Sequence, residues 1–168
     1  MSVLIMRILP DPILRRQARK VGKVPANMKK FTDDMIETMH AELGVGLAAN
    51  QIGSLQKVAV IQLPDWEEAL VLINPEIVKQ EGEREVVEGC LSIPEQYADV
   101  TRPAEVEVRW LDRDGKEQQE AFDGLWATCV QHEIDHLDGK LFIDYLKPLK
   151  RQMITRKMVK LKRELARG

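Results

Sequence analysis

Gly124-Leu125-Trp126-Ala127-Thr128-Cys129-Val130-Gln131-His132-Glu133-Ile134-Asp135-His136-Leu137 reads as one helix that carries Leu125, Cys129, His132 and His136 along a single stripe. Two histidines four apart on a helix stand about 6 Å apart along its axis and nearly in line around it, so both imidazoles can reach one ion. Glu133 projects beside them, in place to take a proton from water that the ion activates. The pentapeptide His132-Glu133-Ile134-Asp135-His136 is therefore two thirds of a metal site with a base attached.

A third ligand is missing from the usual place. In the longer pattern HExxHxxGxxH, Gly139 is present but Phe142 occupies the position of the third histidine. The remaining histidine, His40, reads as a solvated residue on another helix. Cys129 faces the right way but lies about 10.5 Å along the axis from His136, too far for bonds of roughly 2.0–2.3 Å to a shared ion. It reads as a packed or pocket-lining thiol. Cys90, in Glu88-Gly89-Cys90-Leu91-Ser92, is the leading candidate, because Gly89 lets that backbone pass close to another element. Alone, Cys90 would be a core thiol. With an incomplete HExxH it gives three ligands and one open position, the mark of a catalytic site.

The rest of the chain supplies a scaffold. It has 168 residues, 44% hydrophobic and 31% charged, enough for one compact domain over 1–168. Asp11-Pro12 starts a short helix. Met28, Phe31, Met35, Met39 and Leu43 recur at helical steps, predicting a helix from Asn27 to Glu42, capped by Asn27 and ended by Gly44-Val45-Gly46. Lys57–Gln62, Ala69–Ile73, Val106–Leu111 and Lys116–Phe122 read as strands, with Pro64, Pro75 and the turn 112–115 between them. A last helix from about Pro148 to Leu165 buries Ile154, Met158, Leu161 and Leu165. The order predicts an α+β fold: antiparallel or mixed strands around a central HExxH helix, plus a C-terminal helix.

Composition narrows the setting. No apolar run approaches the roughly 20 residues that span a bilayer. Val3-Leu4-Ile5-Met6, broken by Arg7 and Pro10, is too short for a signal peptide. The expectation is a cytoplasmic protein with no membrane and no DNA partner. Its two cysteines form no disulfide framework. Residues 147–168 hold nine basic residues against one acid, a charge of +8, while the other 16 basic and 26 acidic residues leave −10 on the body. That tail points to a polyanionic partner of its own.

The three segments Gly44-Val45-Gly46-Leu47-Ala48-Ala49-Asn50-Gln51, Glu88-Gly89-Cys90-Leu91-Ser92 and Gln131-His132-Glu133-Ile134-Asp135-His136 resemble, in order and spacing, the signature motifs of peptide deformylases. The likeness covers nearly the whole chain and is nearest the bacterial form with a C-terminal helix. It implies removal of the formyl group from N-formylmethionyl peptides, with Cys90, His132 and His136 as metal ligands and Glu133 as general acid and base. It implies that the Gln51 amide and the Leu91 N–H stabilise the oxyanion. Val45, Val86, Leu125, Thr128 and Cys129 would form the methionine pocket, with Gly44 and Gly46 letting the peptide backbone approach. Asn50 and Thr128 stand where Thr or Pro, and an apolar residue, are more usual. The likeness implies Fe²⁺ natively, with Zn²⁺, Ni²⁺ or Co²⁺ also suited to the donor set. It also implies docking of the basic helix to the ribosome near the exit tunnel. Two other readings stay open on the residues alone: a different HExxH hydrolase, such as a small metallopeptidase, and an RNA-binding module using the tail.

Overall fold

A computed structural model describes residues 2–167; Met1 and Gly168, the outer ends of the expected domain and basic tail, lie outside the described residues. Helix α1 (Met28–Ala41) precedes strands β1 (Gly46–Ala48), β2 (Val58–Ile61), β3 (Leu70–Glu81), β4 (Arg84–Cys90), β5 (Ile93–Arg102), β6 (Glu105–Leu111) and β7 (Glu117–Phe122). Helices α2 (Gly124–Leu137) and α3 (Pro148–Arg167) follow. The strands form a five-stranded sheet, ordered β1-β2-β3-β6-β7, and a separate β4-β5 hairpin, with every strand pairing antiparallel. The fold is α+β.

Strand alternation explains how α2 is held. Successive side chains of a strand point to opposite faces. In β2, Val58 and Val60 meet Met28, Met35 and Met39 of α1. Ile61 and Ala59 turn the other way, toward Val130, Ile134 and Leu137 of α2. All four β2 side chains are buried, so the sheet is covered on both faces and α2 has a fixed floor. The β4-β5 hairpin closes a further cluster, in which Ile93, Ala98 and Val100 pack with Leu141, Phe142, Ile154 and Met158. The seam between that hairpin and α2 carries the site.

The structure corrects several local expectations. Asn27 is at the start of α1, but its side chain makes no cap; only its carbonyl is used, by Phe31 N. The helix ends in a left-handed turn at Leu43 (φ 57°), before the glycines, and Leu43 points into solvent rather than the core. Strand β3 does not stop at Pro75. A register shift between Ile73 and Glu76, with Asn74 at φ 53°, lets Pro75 sit in a bulge where its missing N–H is tolerated. The segment Pro12–Arg15 is a 3₁₀ turn whose Ile13 N–H donates to the Asp11 carboxylate. On α3, Ile154 and Met158 are buried and Leu161 packs partly against them, but Leu165 is 60% exposed. No helix among the described residues is long and apolar enough to cross a membrane.

Candidate metal centre

His132 and His136 stand one helical turn apart on α2, with their Nε2 atoms 3.1 Å apart. Cys90 is the last residue of β4, and the tight return to Ile93 of β5 turns its thiol toward them. Cys90 Sγ lies 3.2 Å from His136 Nε2, and the three donor atoms fall within 4.8 Å of one another. A tetrahedral ion with bonds of roughly 2.0–2.3 Å would hold such atoms about 3.3–3.6 Å apart. The set therefore fits a small divalent cation. It also satisfies the chemical preference of one thiolate and two imidazoles. Gly89 leaves room for the Tyr97 ring of β5 beside this turn, since a Cβ there would stand 2.6 Å from it.

A buried ionic chain fixes the imidazoles. His132 Nδ1 donates to Glu88 Oε1 at 2.9 Å, which leaves Nε2 as a lone-pair donor toward the ion. Glu88 is gripped by Arg102 Nε at 2.5 Å and Nη2 at 2.8 Å. Arg102 also reaches Asp135 Oδ2 at 2.8 Å, and Tyr145 donates to the same oxygen at 2.6 Å while its ring lies under the guanidinium. Burial alone would raise the Glu88 carboxyl, but its bonds from Arg102 and His132 hold it below the ordinary range. Burial likewise opposes the Arg102 charge, and Glu88 and Asp135 more than offset it. At the far end of α2, Asn50 donates its amide to the His136 carbonyl, and to Arg16 O at 3.3 Å.

The electrostatics divide the two histidines. Burial disfavours a charge on His132, yet Cys90 and Glu88 outweigh it and lift its pKa above the ordinary value. Burial, seconded by His132, pushes His136 down and keeps it neutral. Burial raises Glu133 to about 7. Its carboxylate rests against Gly46, where a Cβ would collide with it, and Oε1 is buried without a hydrogen-bond partner. That is a buried proton acceptor poised near neutrality, with one oxygen left unpartnered. Cys129 is the opposite case, a buried thiol pushed up to about 12 and so inert.

A cavity of about 530 Å³ opens over these groups. Its walls include Gly44, Val45, Gly46, Gln51 and Leu91 on one side and Leu125, Thr128, Cys129, His132 and Glu133 on the other. Gln51 is clamped: its Oε1 accepts from Ala48 N at 2.9 Å, so Nε2 is turned toward Ser92 Oγ at 3.1 Å and Cys90 Sγ at 3.6 Å. Val86 departs from expectation. It is half-buried on β4, on the same face as the buried Glu88, but does not reach the cavity wall, which Val87, Glu88, Gly89 and Cys90 of that strand border. His40 is exposed and donates to Gln62 at 2.8 Å. Reasoning from sequence missed Arg102, Tyr145 and the roles of Glu88, Ser92 and Asp135. Glu88, Ser92 and Asp135 at least lie inside the quoted motifs; nothing local to Arg102 or Tyr145 marks either.

Comparison with known proteins agrees with this geometry. The family model described as polypeptide deformylase matches residues 3–152. The chain is similar to the crystal structure of a peptide deformylase from Legionella pneumophila, at 46% identity over 99% of each chain and a TM-score of 0.93. It is similar to the Ehrlichia chaffeensis peptide deformylase in complex with actinonin, at 38% identity over 97% of this chain and 99% of that one, TM-score 0.94. It is also similar to the Plasmodium falciparum peptide deformylase, at 31% identity over 98% of each chain, TM-score 0.89.

Proposed function

This chain belongs to the polypeptide deformylase family, a group of metal-dependent hydrolases that remove the formyl group from new polypeptides, and from that premise we propose how its residues divide the work. Cys90, His132 and His136 hold the divalent metal. When bound, such an ion supplies Lewis-acid chemistry, acidifying water toward neutrality and polarising a carbonyl. Glu133 takes the proton of the attacking water as oxygen adds to the formyl carbon. It then delivers that proton to the amine as the C–N bond breaks, leaving formate and a free amino terminus. A carboxyl near pKa 7 suits both steps. The Gln51 amide and the Leu91 N–H donate to the formyl oxygen as it gains charge, and one such donor can be worth about 2.7–4 kcal/mol. The methionine side chain lies against Val45, Leu125, Thr128 and Cys129, with Gly44 and Gly46 admitting the peptide backbone.

The observation that carries this reading is the convergence of three donors from separate elements beside a buried carboxylate. Formate release from formyl-Met-Ala-Ser, measured together with bound metal, tests it. Glu133→Gln is expected to keep its metal and lose about 10²–10⁴-fold in turnover. Cys90→Ala is expected to lose the metal. A Glu133→Gln protein as active as wild type would defeat the assignment.

Fe²⁺ is the expected native ion, with Zn²⁺, Ni²⁺ or Co²⁺ as substitutes, and metal analysis of anaerobically purified protein decides among them. The work is placed in the cytoplasm, at the ribosome near the exit tunnel, through the basic face of α3. Removing α3 whole is a poor test, since Ile154 and Met158 belong to the core. Charge reversal at the exposed Lys157, Lys160 and Arg163 is cleaner. It should weaken ribosome binding and flatten its salt dependence while leaving turnover of short formyl-peptides intact. Equal ribosome affinity would overturn the docking.

A further inference from the structure

We propose that Met6, which stands outside the cleft, is a positioning residue for the Gln51 amide and acts on it through Ser92. The inference rests on the deformylase reading, in which Gln51 donates to the formyl oxygen. A carboxamide nitrogen offers two hydrogens and accepts none. The Gln51 Oε1 is committed to Ala48 N at 2.9 Å, which fixes the way Nε2 faces. One hydrogen of Nε2 meets Ser92 Oγ at 3.1 Å. The other is left for the cleft, on the side of Cys90 Sγ at 3.6 Å. Only that second hydrogen can serve the formyl oxygen, and its aim depends on the bond made by the first.

Facing an N–H, the Ser92 hydroxyl has to accept, so its own hydrogen must go elsewhere. Ser92 is fully buried, which rules out bulk water as the acceptor. Met6 Sδ, at 3.8 Å, takes that hydrogen. A thioether is a weak acceptor, but an enclosed hydroxyl with none is worse off. The chain therefore runs one way, from Gln51 to Ser92 to Met6. Without the sulfur, the hydroxyl turns to another partner, and the lone pair aimed at Gln51 turns with it. The backbone repeats the link. Arg7 N donates to Gln51 O at 2.6 Å and Leu9 N donates to Ser92 O at 2.9 Å, so residues 6–9 grip both members of the pair. Met6 belongs to the same apolar cluster as Ile52 and Leu91, the chain neighbours of those two residues. Neither Met6 nor Ser92 lines the cleft, so both act on Gln51 from behind it.

A mutant cycle on the metal-loaded enzyme tests this, read as formate release from formyl-Met-Ala-Ser. Ser92→Ala should lower kcat about five- to tenfold and Met6→Leu about two- to fivefold. KM and bound metal should not change, because the donor gains strength only as the formyl oxygen takes charge. Met6→Ile stands in if Met6→Leu fails to fold, since neither side chain offers an acceptor. Each variant is repeated in a Gln51→Ala background. There both losses should vanish, because the amide they aim is gone. Combining Ser92→Ala with Met6→Leu should cost no more than Ser92→Ala alone. Full kcat in the folded Met6 variant, or an equal loss with and without the Gln51 amide, would overturn the positioning role. A Gln51→Ala enzyme with wild-type kcat would instead sink the oxyanion assignment beneath it, and a wild type that releases no formate would sink the deformylase reading.

Discussion

Helices α2 and α3 are both written in the sequence as apolar stripes, yet they are held in different ways. Nine of the 14 residues of α2 are buried, against two of the 20 in α3. Helix α2 is fixed by the sheet beneath it and by Arg102 at its flank, so its imidazoles have little freedom. Helix α3 is pinned at Ile154 and Met158 and otherwise faces water with its cations. The contrast separates a helix that must position atoms from one that needs only to present charge. Breaking the clamp on α2 should therefore have the largest effect. Arg102→Met leaves Glu88 and Asp135 without their cation, and a broken buried pair costs about 3–5 kcal/mol. Since Glu88 orients His132, metal affinity should also fall about 10–100-fold. Arg102→Lys should restore only part of it, because an ammonium cannot make the two-pronged bond. Denaturant melts and chelator competition measure the two losses. Unchanged metal affinity in a folded Arg102→Met protein would show that the chain of ion pairs is scaffold alone.

A second prediction asks what α2 gives up to hold Glu133. Burial raises this carboxyl to about 7 from an ordinary 4.5. Its contribution to stability is thus fully present below about pH 4.5 and is lost as pH rises through about 7, where the folded protein must carry a buried charge. In metal-stripped protein, Glu133→Gln should be close to wild type at pH 5 and more stable above pH 8, by up to about 3 kcal/mol. Unfolding free energies measured across that range give the sign. A stability gap that stays flat with pH would mean that Glu133 titrates near its ordinary value.

How much of this could be read from the chain depends on the distance over which each feature is specified. The limits of α2 and its pair of histidines are local, set by helical spacing, and were legible in full. Cys90 was legible only by default, because the HExxH lacked a ligand. Arg102 was not legible: it is 14 residues from Glu88 and 33 from Asp135, and meets both only after the β4-β5 hairpin and α2 have docked. Val86 is a different case: it shares the inward face of β4 with Glu88, as alternation requires, but lies short of the cavity, and how far along a strand a cleft reaches is a property of the packing. Leu43 and Leu165 failed for another reason. Each continues a helical stripe correctly, but past the point where its helix still has something to pack against.

Leu165 turns that last point into the smallest predicted effect. It lies seven residues, two turns, beyond the buried Met158 and on the same stripe, so periodicity alone makes the two equivalent. Their exposure does not: 60% for Leu165 against 1% for Met158. A side chain still in water loses little on truncation, and alanine is the better helix former. Leu165→Ala should therefore shift stability by no more than about 0.5 kcal/mol in a denaturant melt. A loss well beyond that would mean that the outer turns of α3 are packed as α2 is, and the distinction between a positioning helix and a presenting one would fail at its weakest point.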